Sequence, residues 1–222
     1  MEGELPVPRD LAPREPGMND AATIHVIDDD EAVRCSMAAL LAAHGYQSAQ
    51  YALAREFLEQ ANLHSVGVVV ADLIMPEMTG EQLQERMLAL DSTLSLVMVS
   101  GMADVKTAIR VIQRGALTLL EKPFAQEELF AALAAGITRS RLRVEQRSQA
   151  AATASTLNTL SPDERALLKH LLTGATIESN SEALNTCVKE VERRVRGLLN
   201  LFGVASIGEL AILVDKTPFK DH

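Results

Sequence analysis

Residues 66–80, VGVVVADLIMPEMTG, decide the fold of this chain. The stretch begins with a short apolar run rich in valine, and directly after Asp72 it enters a loop that contains proline and glycine. A continuous apolar run of about four to eight residues is typical of a strand buried on both faces of a parallel sheet. Asp72 would then stand at the carboxyl end of a strand, where open parallel sheets bind their ligands.

Similar runs recur on both sides of this stretch. Three strongly apolar runs lie at 24–28, 94–99 and 117–120, and a weaker run lies at 47–51. The segments between the runs have helical periodicity, as in 32–43, where apolar residues recur at spacings of three and four. This alternation predicts a doubly wound α/β domain with a five-stranded parallel sheet and right-handed crossovers, over residues 22–140.

Polar residues follow four of the predicted strands: the acidic run from Asp28 to Asp30, then Asp72, Ser100 and Lys122. All would project from the same edge of the sheet. Clustered carboxylates repel each other unless a hard cation lies between them, and oxygen ligands suit Mg²⁺. A carboxylate beside Mg²⁺ is a suitable acceptor for a phosphoryl group, whose oxygens a hydroxyl and an ammonium would hold. The pattern therefore indicates phosphorylation of an aspartate.

Each piece alone also has a structural interpretation. Asp30 suits the N-cap of the following helix, an isolated Asp in a loop is usually a turn residue, and a lysine after a strand is usually a solvated charge. Ser100 alone carries no signal. Only the joint occurrence of these residues, each after a strand, favours a phosphoacceptor site.

Four segments resemble the receiver domain of bacterial response regulators: IHVIDDDEAVR, VVVADLIMPEMTG, VMVSG and LLEKPF. The resemblance covers residues 22–140 and implies the strand order 2-1-3-4-5 of flavodoxin-like sheets. It implies that Asp72 is the phosphoacceptor and that a sensor histidine kinase supplies the phosphoryl group. By the same resemblance, Asp29, Asp72 and the backbone carbonyl of Ile74 bind Mg²⁺, and Asp28 supports the metal.

The resemblance also implies roles in the later strands. Ser100 would be the switch hydroxyl and Lys122 would contact the phosphoryl group, with a cis bond between Lys122 and Pro123. The family usually has an aromatic residue where this chain has Leu119. Since leucine cannot sweep the volume of a swinging ring, we expect the signal to leave the site by a weaker or different route.

The rest of the chain predicts a second, all-α domain. We expect a disordered leader at 1–21, a helical domain at 157–216 and a tail at 217–222. Between the domains, the change to Arg, Ser, Gln and Ala predicts a helix extension that runs into a flexible linker at 141–156. Four short helices are predicted at 161–172, 179–184, 187–202 and 206–214, the first with a capping box at Ser161, Pro162 and Glu164. No strand pattern is present there.

The helical domain resembles the LuxR-type helix-turn-helix output of the NarL/FixJ group. In the predicted recognition helix one face is apolar and consists of Val188, Val191, Val195, Leu198 and Phe202. The opposite face holds the candidate DNA contacts Lys189, Arg193, Arg196 and Asn200. The same face is also what the solvated side of any amphipathic helix looks like.

The middle of the helical domain departs from the family. Glu178 replaces a basic residue, Asn180 replaces a core aliphatic, and Glu190 and Glu192 add carboxylates to the recognition helix. Residues 157–222 hold eight basic and nine acidic residues, a net charge of −1, so −8 of the total −9 lies in the front part. Near-neutral charge is unusual for a domain that grips DNA.

Two hypotheses for the output remain. The first is a homodimeric transcriptional regulator controlled by phosphorylation; the alternative is a phosphorelay receiver whose output binds protein rather than DNA. Nothing indicates an enzyme beyond the receiver's own phosphoryl transfer and slow dephosphorylation. The separated Cys35 and Cys187 argue against zinc and disulfides, and no apolar run is long enough for a membrane span, so we expect a cytoplasmic protein.

Overall fold

The computed structural model describes residues 22–102 and 105–215, and the chain divides into two compact units between Val144 and Glu145. The predicted leader at 1–21 and tail at 217–222 lie outside the described residues. The boundaries that we predicted for the domains therefore stay predictions at both ends of the chain.

The first unit contains a five-stranded, all-parallel sheet in the order β2-β1-β3-β4-β5, which confirms the predicted sheet. Its strands are β1 (Thr23–Ile27), β2 (Gln47–Tyr51), β3 (Gly67–Asp72), β4 (Ser95–Ser100) and β5 (Thr118–Glu121). The intervening helices are α1 (Glu31–Ala43), α2 (Ala54–Gln60), α3 (Gly80–Ala89) and α4 (Val105–Gln113), and α5 (Gln126–Thr159) follows β5.

The strand register aligns the predicted site residues. In the β1–β3 pair Ile27 lies opposite Ala71, and in the β4–β5 pair Ser100 lies opposite Glu121. Asp72, the last residue of β3, pairs with Val99. The residues that follow the strand ends therefore share one edge of the sheet, as the sequence predicts.

The sheet is covered on both faces. One core joins the strands to α2, α3 and α4 through buried residues such as Phe57, Leu83 and Val111. The other joins them to α1 and α5 through residues such as Leu41 and Leu133. Since apolar side chains are buried on both faces, the strands need the nearly continuous apolar runs seen in the sequence.

Helix α5 packs closely on the sheet because Gly136 has no side chain. A Cβ atom at Gly136 would lie 2.8 Å from Val68 Cγ2. The Ser95 hydroxyl donates to the Gly136 carbonyl at 2.8 Å, and the Gly67 amide donates to the Ser140 hydroxyl at 3.0 Å. Polar contacts thus fix α5 at the amino-terminal end of the strands.

Residues 141–156, which we expected to become a flexible linker, are helical throughout and belong to α5. The physical reason is composition: the segment contains no glycine or proline and is rich in alanine, arginine and glutamine, which are strong helix formers. Serine content was a poor guide to flexibility here, because serine lowers helix propensity only modestly.

The second unit is helical in its described residues, with α6 (Pro162–Leu172), α7 (Ile177–Ala183), α8 (Val188–Phe202) and α9 (Ile207–Asp215). The predicted capping box at Ser161 is present, and α8 ends at Gly203 with a φ of 65°. Buried leucines and valines of α6, α8 and α9, such as Leu168, Val195 and Leu210, form its core together with Leu157 of α5 and Leu160.

One residue of the predicted apolar face of α8 differs from the prediction. Val188, the first residue of the helix, is 38% exposed, whereas the core begins one turn later at Val191.

Within the described ranges, no single helix has the length and apolar character needed to cross a bilayer. Helices α8 and α9 satisfy that test only as a pair, bent by 49°, and both contribute buried residues to the core.

Candidate functional site

Three predicted residues meet at the carboxyl edge of the sheet. Asp28 follows β1, Asp72 ends β3 and Lys122 follows β5. The Lys122 Nζ lies 2.7 Å from Asp72 Oδ2 and 2.9 Å from Asp28 Oδ2. The ammonium therefore bridges two carboxylates, and the Lys122–Pro123 peptide bond is cis, as predicted.

The two carboxylates alter the protonation of Lys122. Partial burial by itself lowers the pKa of the ammonium, but the hydrogen bonds to Asp72 and Asp28, together with their negative charges, outweigh burial and raise the pKa above its ordinary value. Lys122 is therefore a fixed positive charge at neutral pH. Such a charge, placed before any reaction occurs, stabilises negative charge on oxygens that arrive beside it.

Backbone amides hold both acids in position. The Asp30 amide donates to Asp28 Oδ1 at 3.0 Å, and the Ile74 amide donates to Asp72 Oδ1 at 2.9 Å. The Asp30 side chain accepts from two amides at the start of α1, which confirms the N-cap interpretation. Asp29 is exposed next to the buried Asp28.

Sequence reasoning missed Arg34 of α1. Its Nη1 donates to the carbonyl of Asp28 at 2.7 Å and to the carbonyl of Asp29 at 3.1 Å. The guanidinium thereby holds the backbone of the acidic loop. An arginine one turn into the helix that follows three aspartates was the available signal, but spacing alone does not show that the side chain folds back.

Ser100 is fully buried at the end of β4, and its hydroxyl oxygen accepts a hydrogen bond from the Met102 amide at 3.2 Å. The hydroxyl is thus engaged with the β4–α4 loop. Leu119 is partly buried, pairs with Met98 in the sheet and packs on the core shared with α2, α3 and α4. The position where the family usually has a ring therefore belongs to the packed core.

The residues predicted to bind Mg²⁺ fit the ion in chemistry. Asp28, Asp29, Asp72 and the Ile74 carbonyl offer only oxygen ligands, which Mg²⁺ prefers. The carboxylates of Asp28 and Asp72 already share one cationic group, the ammonium of Lys122. In residues 22–102 and 105–215, no three His, Cys, Asp or Glu side chains are grouped so that they could hold a metal ion.

All four candidate DNA contacts on α8 are exposed, namely Lys189, Arg193, Arg196 and Asn200. Arg193 is engaged, however: its Nε and Nη2 donate to the two carboxylate oxygens of Glu190 at 2.8 and 2.7 Å. Arg194 Nε donates to the same carboxylate at 2.9 Å. These hydrogen bonds lower the pKa of Glu190 to about 2, so its carboxylate is charged at neutral pH. We call Glu190 with its partners Arg193 and Arg194 the Glu190 clamp.

Asn180, which replaces a core aliphatic, is fully buried in α7. Its Nδ2 donates to the Thr176 carbonyl at 2.8 Å, and its Oδ1 lies 3.2 Å from His170 Nδ1. The polar side chain is therefore satisfied by hydrogen bonds, which is the condition for burying it without a large penalty. The remaining two carboxylates, Glu178 and Glu192, are exposed.

Known proteins are similar to this chain in sequence and in fold. The family model "Response regulator receiver domain" matches residues 24–134. The tetrathionate response regulatory protein TtrR of Salmonella typhimurium is 33% identical over 189 residues, which cover 85% of this chain and 90% of that protein. The transcriptional regulatory protein FixJ of Azorhizobium caulinodans is 30% identical over 207 residues, 92% of this chain and 98% of FixJ.

The solved structure of the response regulator StyR superimposes with a TM-score of 0.72 at 26% identity, over 88% of this chain and 99% of that one. These names describe regulators, and none describes an enzyme. The family model matches residues 24–134, the relatives align over most of their length, and the sheet has the order β2-β1-β3-β4-β5. The chain therefore belongs to the response regulators with a receiver domain.

Proposed function

We propose that this chain is a two-component response regulator that accepts a phosphoryl group on Asp72 and controls transcription through its C-terminal helices. The observation that carries the proposal is the Asp28–Lys122–Asp72 arrangement at the carboxyl edge of the sheet. A carboxylate held by a fixed ammonium is prepared for phosphoryl transfer, because the ammonium also attracts the incoming phosphoryl oxygens.

The proposed reaction needs little from the protein beyond positioning. An Asp72 oxygen attacks phosphorus, the O–P bond forms as the P–N bond of a phosphohistidine breaks, and the histidine nitrogen leaves with the electron pair. Lys122 holds the transferred oxygens, and the Ser100 hydroxyl would turn from the Met102 amide towards them. Asp28, Asp29, Asp72 and the Ile74 carbonyl would hold Mg²⁺, which neutralises charge on the transferring group.

The donor would be a sensor histidine kinase, and the protein would act in the cytoplasm as a homodimer. The transcriptional part of the proposal is supported by the names of TtrR and FixJ, to which the chain is similar over most of its length. In this proposal the C-terminal unit is a LuxR-type helix-turn-helix whose helix α8 enters the major groove. Lys189, Arg193, Arg196 and Asn200 would contact phosphates or base edges.

A second candidate output is binding to protein, and the Glu190 clamp favours it. The single carboxylate of Glu190 binds both Arg193 and Arg194 and offsets one of their two positive charges, which weakens the release of counterions from DNA. Two further exposed carboxylates, Glu178 and Glu192, lie on α7 and α8. Such a helix suits a partner surface that is less anionic than DNA.

Salt-titrated binding to the DNA upstream of its own gene distinguishes the two outputs. The purified chain is tested with and without a phosphoryl mimic such as beryllofluoride plus Mg²⁺, at several salt concentrations, with footprinting of the bound DNA. A protected site whose affinity falls with salt and rises on activation supports transcriptional control through DNA. No protected site in either state, with a salt slope near zero, removes DNA binding and leaves the protein-binding alternative.

A further inference from the structure

Helices α3 and α4 are joined by a set of polar contacts, which we call the α3–α4 clasp. Arg110 of α4 grips Glu81 of α3 with two hydrogen bonds, Nε to Oε2 at 2.8 Å and Nη2 to Oε1 at 2.6 Å. Arg114, one turn later, lies 2.7 Å from Glu85 and 3.5 Å from Glu81. Glu81 is therefore the carboxylate common to both arginines.

A buried contact reinforces the clasp. The Gln84 side chain is almost fully buried, and its Nε2 donates to the Val111 carbonyl near the end of α4 at 2.8 Å. Single exposed ion pairs stabilise a fold little, but bidentate geometry and shared partners make a network more directional. The contacts of Glu81, Gln84 and Glu85 lie along one side of α3, so the two helices are tied over slightly more than one turn.

The first turn of α3, which carries Glu81, also rests on the proposed phosphorylation loop. The Gly80 amide donates to the Leu73 carbonyl at 2.9 Å, and a Cβ atom at Gly80 would lie 2.9 Å from the Asp72 carbonyl oxygen. The helix begins with a capping box in which Thr79 and Gln82 satisfy each other's backbone amides. A shift of the Asp72–Leu73 backbone therefore moves the first turn of α3.

Glu81 directly follows Gly80 in that first turn. A continuous chain of contacts thus runs from Asp72 through Gly80 to Glu81 and across to Arg110. It does not pass through β5, where Leu119 replaces the usual aromatic residue and remains packed in the core. The clasp supplies a route from the site to α4 that needs no swinging ring.

We propose that Glu81 is a positioning residue that transmits phosphorylation of Asp72 to helix α4 through Arg110. The proposal rests on the proposed function, since it requires Asp72 to be the acceptor. Chemically, Glu81 touches neither the acceptor oxygens nor the arriving phosphoryl group. Its removal should therefore leave phosphoryl acceptance intact and disconnect α4 from it.

An introduced tryptophan reports on α4 because the chain has no native tryptophan. Ile109 is 50% exposed on α4, so Ile109→Trp in the full chain places one fluorophore there, and Ile112→Trp, at a site 48% exposed, gives an independent reporter. Emission is recorded before and after beryllofluoride and Mg²⁺. Labelling of each variant by acetyl phosphate is measured by intact mass.

In the reporter background, Glu81→Gln should reduce the emission change about fivefold or more while labelling stays at the parent level. Glu85→Gln is the matched control, since it makes the same change one turn later and leaves both hydrogen bonds from Arg110 to Glu81 in place. It should keep the full response. Combining Glu81→Arg with Arg110→Glu restores an ion pair and should recover most of the response.

Two results would overturn the role of Glu81. One is a full emission change in Glu81→Gln with both reporters, and the other is normal labelling of the parent with no emission change at either position. If the parent is not labelled, or if Asp72→Asn is still labelled, the phosphoacceptor proposal itself fails. The two failures are therefore distinguished by the labelling measurement.

Discussion

Lys122 reaches Asp72 across the end of a strand: its Nζ lies 2.7 Å from Asp72 Oδ2, although β4 separates β3 from β5 in the sheet. The same Nζ lies 2.9 Å from Asp28 Oδ2, beyond β3. One flexible side chain thus spans most of the carboxyl edge. Because its ammonium contacts both acids, it fixes where positive charge stands before any phosphoryl group arrives.

Replacement of Lys122 should slow phosphorylation without unfolding the protein. We expect Lys122→Met to lower the initial rate of labelling by acetyl phosphate about 100-fold, because a preorganised charge is lost where negative charge develops. Lys106→Met, which removes an exposed lysine of α4, is the control and should leave the rate unchanged. Equal rates in the parent and in Lys122→Met would show that the ammonium does not assist the transfer.

The stability of the first unit should fall in mild acid because of His25. This residue is 5% exposed, its Nδ1 lies 3.2 Å from the Tyr51 hydroxyl, and its buried Nε2 has no hydrogen-bond partner within the described structure. Burial lowers the pKa of His25 from 6.5 to about 4. The folded state therefore keeps the ring neutral at pH values where the unfolded chain already binds a proton.

Above pH 6.5 the lowered pKa of His25 does not affect stability. As the pH falls from 6.5 towards 4, the unfolded chain takes up a proton that the folded state does not, so the free energy of unfolding decreases. Below that window there is no further loss. The loss should reach about 2 to 3 kcal/mol at pH 4.5. Urea unfolding at pH 7 and 4.5 measures it in the parent and in His25→Phe, which keeps an aromatic ring against Phe57. An identical pH dependence in the two proteins would contradict the prediction.

The buried Asn180 should stabilise the second unit through its hydrogen bonds. We expect Asn180→Ala to lower the free energy of unfolding by about 1 to 3 kcal/mol, since His170 and the Thr176 carbonyl each lose a partner. Ser181→Ala, which removes one local hydroxyl contact on the same helix, should change it by less than about 0.5 kcal/mol. The measurement is urea unfolding followed by circular dichroism, and equal losses in both variants would refute the buried-network argument.

The Glu190 clamp should limit the salt dependence of any DNA binding. Glu190→Gln frees Arg193 and Arg194, so the slope of log affinity against log salt should steepen by about 1 to 2. Glu192→Gln removes the same charge from an exposed position on the same helix and should steepen it less. If Glu192→Gln has the larger effect, general charge rather than the clamp governs the interaction.

The sequence predicted the strands closely because both-face burial produces a nearly continuous apolar run that few other structures share. The strand at 47–51 has no such apolar run, and only its place in the alternation of strands and helices indicated it. The positions of Asp28, Asp72 and Lys122 followed from the strands, because the carboxyl ends of parallel strands share one edge. The capping box at Ser161 depends on residues three apart, so local pattern was sufficient there as well.

What the sequence did not show depends on contacts between distant elements. Arg34, Glu81 with Arg110, and Gln84 each act through side-chain directions that no spacing rule determines. The Glu190 clamp was local, yet charge counting treated Glu190 and Arg193 as independent. Residues 141–156 were misjudged because polar composition was given more weight than the lack of glycine and proline.

The central claim is that Asp72 accepts the phosphoryl group, and intact-mass spectrometry after acetyl phosphate and Mg²⁺ tests it most directly. The full chain should gain one phosphoryl group that hydroxylamine removes, and Asp72→Asn should gain none. Asp30→Asn is the matched control at the same edge, since asparagine caps a helix as well as aspartate does, and it should be labelled like the parent. Persistent labelling of Asp72→Asn, or loss of labelling only in Asp30→Asn, would contradict the account.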